Sequence, residues 1–290
     1  DEIHQLRDPA RLLKIGADEF PKLKILATGS STLAASRKFR DTLTGRKRLV
    51  HLVPVLVSEL GTFGDVPLLR RLLHGGLPPA LLASSKKPSF YREWLDSFFA
   101  RDIQRLFGFR DVNRFNAFFE YCLRQSGGQF EQTKAASAVG ITRPTVESHL
   151  QALEITHAVK IVRPFFGGGQ NEITKQPKVY AFDTGGWEPL RPEDCGGLWE
   201  HLVLEHLQAH VADDPIRYWR DKQGREMDFV LSRGRDVVHA IECKWSADAL
   251  DGSALKAFRA LYPKGQNYLV TPSANEAYQI RKSDMDITVC

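Results

Sequence analysis

The sequence predicts an α/β multidomain chain on three observations. At the front, short apolar segments ending in small polar residues alternate with helical periodicity. A helix-turn-helix pattern occupies the middle, and an E-x-K strand follows an acidic hairpin near the end. The length of 290 residues favours two or three domains over one. A hydrophobic fraction of 42% and a charged fraction of 26% belong to an ordinary globular protein and argue against a disordered or fibrous one. No apolar run approaches the ~18 residues of a bilayer-spanning helix, and no basic-then-apolar secretory pattern is present. Cys122, Cys195, Cys243 and Cys290 are scattered without C-x-x-C spacing, which speaks against a zinc site or a disulfide framework. A cytoplasmic protein with no membrane partner is therefore expected.

The net charge of +5 is unevenly placed. From Gly196 onward there are 12 Lys and Arg against 14 Asp and Glu, leaving 28 against 21 ahead of that point. The excess is compatible with a polyanionic partner such as DNA, although many proteins without such a partner are equally basic.

In the front segment, Lys24-Ile25-Leu26-Ala27-Thr28-Gly29-Ser30-Ser31 reads as a strand ending in small polar residues. A helical stretch over 32–43 follows, then Thr44-Gly45-Arg46-Lys47 and a second strand, Leu49 to Pro54. This is a parallel α/β layout in which strand ends face a crevice. Further on, Leu68 to Leu73 reads as a short helix broken at Gly75-Gly76-Leu77-Pro78. Trp94, Phe98, Phe99, Ile103 and Leu106 have helical spacing, and Phe115 to Leu123 forms another amphipathic helix.

Gln132 to Val139 is expected to be a helix, Gly140-Ile141-Thr142 a turn, and Arg143 to Leu153 a second helix with Pro144 in its first turn. Lys160 to Phe166 and Lys178 to Asp183 read as strands flanking Gly167-Gly168-Gly169, a hairpin in the position of a wing. If this unit reads DNA, Arg143, Thr145, Ser148 and His149 face the groove while Lys160 and Lys178 approach phosphates from the wing. A single Arg on the second helix, beside Glu147, leaves a protein-binding winged helix equally open.

Near the end, a helix carries Glu200, Ile216 to Arg220 is a strand, and Glu226 to Leu231 and Val237 to Trp245 follow as further strands. Alternation puts Glu242 and Lys244 on one face and Ile241, Cys243 and Trp245 on the other. Pairing across the hairpin brings Asp228 alongside Glu242. Two such carboxylates supply oxygen ligands for Mg²⁺ or Mn²⁺, and an adjacent lysine stabilises charge developing on a phosphate. The alternative is a solvated ion pair, although the flanking Phe229, Val230, Ile241 and Cys243 favour a core strand in which a charge needs a reason to be present.

Taken in order, Asp1-Glu2, the T-G-S-S and T-G-R-K steps, L-V-P-V-L-V-S-E-L over 52–60, G-G-L-P, Arg101-Asp102, W-E-x-x-V at Trp199, E-x-D-F-V at Glu226 and I-E-x-K at Ile241 resemble one family. It comprises bacterial and archaeal AAA+-type ATPases with a winged helix and a C-terminal PD-(D/E)xK nuclease-like domain. The resemblance implies a partial P-loop/AAA+ α/β core over 1–62, a helical lid over 63–110, a winged helix over 111–190 and a restriction-endonuclease-like α/β domain over 191–290. It implies Asp1 as a Mg²⁺ ligand, Glu2 as the residue polarising water, Thr28 or Ser30 as the γ-phosphate sensor, and Arg46 as a phosphate contact within or across copies. It further implies Asp228 and Glu242 as metal ligands, Lys244 as the catalytic lysine and Glu200 as the helix carboxylate. The acidic pair at the very start reads as the tail of a strand cut in mid-domain. No G-x-x-x-x-G-K-[ST] occurs in the 290 residues, so ATP is expected to bind the intact protein only. The expected function is a DNA-associated ATPase with a metal-dependent nuclease-like domain. The alternative is a regulatory ATPase whose nuclease-like domain is an inert interaction module.

Overall fold

The computed structural model describes residues 3, 6–29, 43, 45–46, 48, 50–86, 88–98, 103–167, 176–186, 195–211, 215–233 and 237–290. Asp1, Glu2, Ser30, Arg101 and Asp102 lie outside these residues. Contacts divide the chain into two compact units. One gathers Asp1–Val50, Pro88–Cys122 and Gln132–Lys160; the other gathers His51–Lys87, Leu123–Glu131 and Ile161–Cys290.

Apart from Val159 and Lys160, which open a strand, the regular elements of the first unit among its described residues are helices. Helix α1 (Pro9–Glu19) starts at Asp8, whose carboxylate accepts from the Arg11 amide at 3.1 Å, and has Pro9 at its first position. Two further helices, α2 (Leu68–His74) and α3 (Pro78–Leu82), belong to the second unit. Back in the first, α4 (Pro88–Phe98) and α6 (Val112–Arg124) meet through stacked and tilted rings: Trp94 lies 5.0 Å from Phe98, and Phe98 lies 6.3 Å from Phe119. Between them runs the single turn α5 (Gln104–Phe107).

Helices α7 (Gln132–Val139) and α8 (Arg143–Ile155) are joined through Gly140, whose φ of +72° suits the tight turn. The Thr142 hydroxyl accepts from the Thr145 amide at 3.3 Å and caps α8. Val146, His149, Leu150 and Leu153 form the buried stripe of α8.

The strands expected over 24–31 and 49–54 are a correction. None of the described residues 23–29 or 50–54 is in a strand. A strand needs a neighbour for its backbone groups and cover for its apolar side chains. Leu26, Val50 and Leu52 are instead 88%, 74% and 100% exposed.

The second unit is built on an eight-stranded sheet of β1 (Val159–Pro164), β2 (Lys178–Ala181), β3 (Arg217–Arg220), β4 (Glu226–Arg233), β5 (Val237–Cys243), β6 (Asn267–Val270), β7 (Tyr278–Lys282) and β8 (Met285–Val289), in the order β2-β1-β3-β4-β5-β6-β8-β7. The two strands expected as a wing are the first two of this sheet: β1 pairs in parallel with β3 through Arg163 opposite Arg217. Strand β5 connects to its parallel neighbour β6 through α10 (Gly252–Leu261).

Each face of the sheet has its own core. One buries Leu198, Leu202, Val203 and Leu204 of α9 (Cys195–His210) on Tyr180, Tyr218, Phe229, Ile241 and Cys243, with Leu72 of α2. The other buries Leu255 and Phe258 of α10 on Trp219, Met227, Val230, Ala240 and Leu269. Alternation on β5 therefore runs as the sequence requires, with Ile241 and Cys243 in one core and Ala240 in the other. Trp245 is a correction: it lies past the end of β5 and is 41% exposed, with its ring edge-on to Trp199.

The segment 51–87 is fastened to this sheet and α9 by a buried arginine. Arg71 on α2 is fully buried and donates to Val55 O at 2.5 Å, to Thr184 Oγ1 at 2.9 Å and to the carboxylates of Asp183 and Glu205. This network explains the G-G-L-P step. Gly75 ends α2 with φ +86°, and a Cβ on Gly76 would sit 2.5 Å from the Arg71 guanidinium. The Gly76 amide donates to Asp183 Oδ1 at 2.8 Å, while its carbonyl accepts from the Val55 amide.

Candidate functional site

The carboxylates expected to act together do meet. On the antiparallel pair β4–β5, Phe229 lies opposite Ile241 and Val230 opposite Ala240, and one more step of this register brings Asp228 opposite Glu242. On the other edge of β4 the register shifts: Arg217 pairs with Val230 but Trp219 pairs with Met227, so β4 carries an extra residue at 228–229. A bulge of this kind re-aims a side chain, and here it falls on Asp228.

Asp228 is buried, and its Oδ2 accepts from the Cys243 amide at 2.7 Å. Lys244 Nζ lies 2.6 Å from Glu242 Oε1 and 4.0 Å from Asp228 Oδ2. The Glu242 Oε2 atom is buried without a hydrogen-bond partner among the described residues. An oxygen left so is costly unless a cation or a ligand meets it.

The electrostatics follow from this crowding. Burial pushes the Asp228 carboxyl well above its usual range, and the nearby charges of Glu200 and Glu242 push it further, against the pull of Lys178 and Lys244. Glu242 is also raised, first by burial and then by Glu200 and Glu226, while Lys244 opposes. Burial alone would lower Lys244, but Asp228 and Glu242 outweigh it and hold the ammonium charged. Two buried acids raised by burial and by neighbouring carboxylates, one of them with an unmet oxygen, fit a divalent cation chemically. No group of three or more His, Cys, Asp and Glu side chains among the described residues is arranged to hold a metal. The residues that fit are the pair Asp228 and Glu242.

Glu200 on α9 lies beside this pair, in a second ionic cluster. Its Oε1 accepts from Lys178 Nζ at 3.0 Å and from the Tyr180 hydroxyl. Lys178 also pairs with Glu226, whose other oxygen accepts from Arg220 at 2.9 Å. Lys178 is thus a correction: expected to meet phosphates from a wing, it is 3% exposed and committed to two carboxylates. Its long stem spans from β2 to the acidic strand ends, a reach that no local sequence pattern announces. Arg225 is exposed and pairs with Asp221 at 2.6 Å.

On α8, Arg143 and Ser148 are exposed, as expected of a helix face open to a partner. The Thr145 hydroxyl lies 2.8 Å from that of Thr142, inside the helix cap. His149 is a second correction. It falls on the buried stripe with Val146 and Leu150, its ring 4.6 Å from that of Phe109 and 5.2 Å from that of Phe115. Burial lowers its imidazole from the ordinary range, against the pull of Asp111. Lys160 is half-buried on β1. Sequence reasoning passed over Arg110 and Arg114, which line a cavity of about 250 Å³ together with Thr142 and Thr145 at the start of α8.

In the front segment, Arg46 is partly exposed and pairs with Asp18 at 2.6 Å, while Thr28 accepts from the Ile3 amide through its carbonyl. The described residues do not gather these two into one site.

Three family models match the chain in succession: an AAA domain over residues 1–61, a domain of unknown function (DUF8612) over 67–186, and a domain of unknown function (DUF4143) over 195–288. The front match, to an AAA domain, supports AAA-type ATPase character in that segment. Two curated relatives are 27% identical over 244 residues: the uncharacterized protein Rv2008c of Mycobacterium tuberculosis and the uncharacterized protein Mb2031c of Mycobacterium bovis. Each alignment covers 80% of this chain and 55% of the relative, so the chain spans about half the length of the curated relatives it matches. Among solved structures, a half-complex from a tetradecameric assembly of Thermococcus gammatolerans McrB AAA+ hexamers with bound McrC is similar at a TM-score of 0.27 and 11% identity, covering 78% of this chain and 47% of that one. So slight a likeness bears on neither fold nor activity. The acidic site lies within the DUF4143 match, whereas Lys178, Tyr180 and Arg71 come from the DUF8612 match. Among the described residues, no helix is long and apolar enough to cross a membrane.

Proposed function

We propose that this chain contributes metal-dependent cleavage of DNA phosphodiesters to a larger AAA+-type ATPase, with the chemistry at Asp228, Glu242 and Lys244. The observation that carries the reading is the unmet Glu242 Oε2 beside Asp228, with Lys244 Nζ 2.6 Å from Glu242 Oε1. Asp228 and Glu242 would hold Mg²⁺ or Mn²⁺, which supplies positive charge to the phosphate under attack. Lys244 is only partly exposed, at 28% of its side chain, and its ammonium stays protonated between two acids. It donates hydrogen bonds toward the non-bridging oxygens and offsets the charge that grows on them. The Cys243 amide fixes the Asp228 carboxylate in place, which limits the reorganisation needed when a substrate enters.

The unit of α7 and α8 is the proposed DNA contact, through Arg143 and Ser148 on the exposed face of α8, with Arg110 and Arg114 beside its start. The reading places ATP in the intact protein, with Thr28, Ser30 and Arg46 on the nucleotide side of the AAA-related segment and Asp1 and Glu2 at its acidic step. Association of copies through that segment and a cytoplasmic setting are parts of the same proposal.

A second reading is favoured by one specific observation. The acids of this region already carry internal cations, Lys178, Lys244 and Arg220, as a folded binding module would require. The test that separates the two is incubation of the full chain with plasmid and linear DNA in Mg²⁺ or Mn²⁺, against Lys244→Ala. Cleavage by the parent chain and its loss in the variant support the nuclease. No cleavage, or equal cleavage by both, leaves the binding module.

A further inference from the structure

A lysine enters the acidic region from outside the segment that supplies the acids. Lys178 lies on β2, within the DUF8612 match, yet Glu200, Glu226, Asp228 and Glu242 all lie in the DUF4143 match. Its side chain is 4% exposed, its Nζ lies 3.0 Å from Glu200 Oε1 and pairs with Glu226 Oε1, and it stands 5.5 Å above the Tyr218 ring. Glu226 Oε2 accepts from Arg220, and the Glu200 oxygen that pairs with Lys178 also accepts from the Tyr180 hydroxyl. Two acids of four are therefore committed to protein cations, whereas among the described residues Asp228 and Glu242 pair with Lys244 alone, at 4.0 and 2.6 Å, and Glu242 keeps a buried oxygen unmet.

We propose that Lys178 is a built-in counter-ion that keeps Glu200 and Glu226 out of cation coordination and so confines the site to a single divalent ion at Asp228 and Glu242. This rests on the metal reading given above. Lys178 is a positioning residue: buried and doubly paired, it does not reach a substrate, and it acts through the carboxylates it holds. Its position suits that role, because a permanent charge among four acids lowers the field that would draw in a second dication. The charge is permanent because Glu200, Glu226 and Asp228 outweigh the effect of burial and push the ammonium up. The structure also gives Lys178 the stiffness that the role requires, since the rest of β2, Val179 to Ala181, is buried.

The test counts ions rather than turnover. The full chain is titrated with Mn²⁺, and free Mn²⁺ is read by electron paramagnetic resonance. The parent chain should take up one ion, which Glu242→Gln loses. Lys178→Met, which keeps the apolar stem without the ammonium, should take up a second. Glu200→Gln in the parent background should leave the count at one, because Glu200 is already held by Lys178 and Tyr180. A parent chain that binds no Mn²⁺ overturns the metal reading beneath the proposal. A folded Lys178→Met that still takes up one ion overturns the role of Lys178 and leaves that reading standing. If Lys178→Met fails to fold, Glu200→Gln decides: loss of the bound ion shows that Glu200 is a ligand and sinks the proposal, and a retained count of one supports it.

Discussion

Arg71→Ala is the sharpest test of how the second unit is held together. The side chain is fully buried, as are those of Asp183 and Glu205, so the substitution strands two carboxylates without their cation. It also removes the donors to Val55 O and Thr184 Oγ1 that tie 51–87 to the rest of the unit. Removing one partner of a buried ion pair typically costs about 3–5 kcal/mol, because the charge left behind remains desolvated. At ~2–4 °C per kcal/mol for a folding unit of 150–250 residues, the transition of the sheet should fall by roughly 6–20 °C. The control is Arg114→Ala, whose pair with Asp111 is more than half exposed on both sides and so stands in the ~0–1 kcal/mol class of surface pairs. Differential scanning calorimetry and urea unfolding read both. Adding Glu205→Leu to an Arg71→Met chain should recover part of the loss, since the Glu205 carboxylate then no longer lies buried without Arg71. An Arg71→Ala loss no larger than that of Arg114→Ala would refute the argument that this arginine fastens the segment.

Gly76→Ala should destabilise the same unit by about 1–3 kcal/mol, the usual cost of overpacking, because its Cβ would lie 2.5 Å from the Arg71 guanidinium; thermal unfolding checks it. His206 is lowered to about 4, by burial first and then by Arg71 and His210, and its Nε2 accepts from the Val57 amide at 3.1 Å, so the fold holds it neutral. The unfolded chain takes up that proton near its ordinary value while the folded chain does not. The contribution is therefore present above about pH 6.5 and is lost as pH falls toward 4; His206→Gln should flatten that part of the stability–pH curve, and an unchanged slope would count against it. Arg143→Ala should weaken DNA binding and reduce its salt dependence by close to ~0.9 in the log–log slope if the residue meets one phosphate. Fluorescence anisotropy over a salt series decides, and binding indifferent to both salt and the substitution favours a protein partner.

What the sequence made legible depended on range. Helices α7 and α8 follow from local signals: the apolar stripe, Gly140 in the turn, Thr142 and Pro144 at the start. The pairing of Asp228 with Glu242 follows from alternation on two strands joined by a short connection, so it too was readable. Helix α1 was missed although Asp8-Pro9 is an ordinary start signal, and β6 to β8 were missed although Asn267–Val270 and Met285–Val289 are rich in strand-forming residues. The front strands failed for a different reason. Local apolar runs suggested them, but a strand exists only with a neighbour, and the described residues supply none. His149 was assigned by its place in a motif rather than by the stripe 146, 149, 150, 153, which would have put it inside. The Arg71 and Lys178 networks join residues up to 134 positions apart and leave no periodic trace.

That last point bears on how the acidic region should be understood. The stretch over 195–288, matched as a unit of its own, contains four carboxylates near one another with Lys244 and Arg220 as their only cations among the pairs described. Read alone it is overcharged, and a desolvated carboxylate cluster of that kind either protonates or recruits ions. The missing charge arrives on β2, from the segment over 67–186, and it comes with Tyr180 against the same Glu200 oxygen. The sheet makes the arrangement possible, because β2 and β1 extend it beyond β3 instead of forming a separate wing. The boundary between the two matched segments therefore runs through one electrostatic site, and the number of cations the site admits is set by a residue that the acidic segment does not contain.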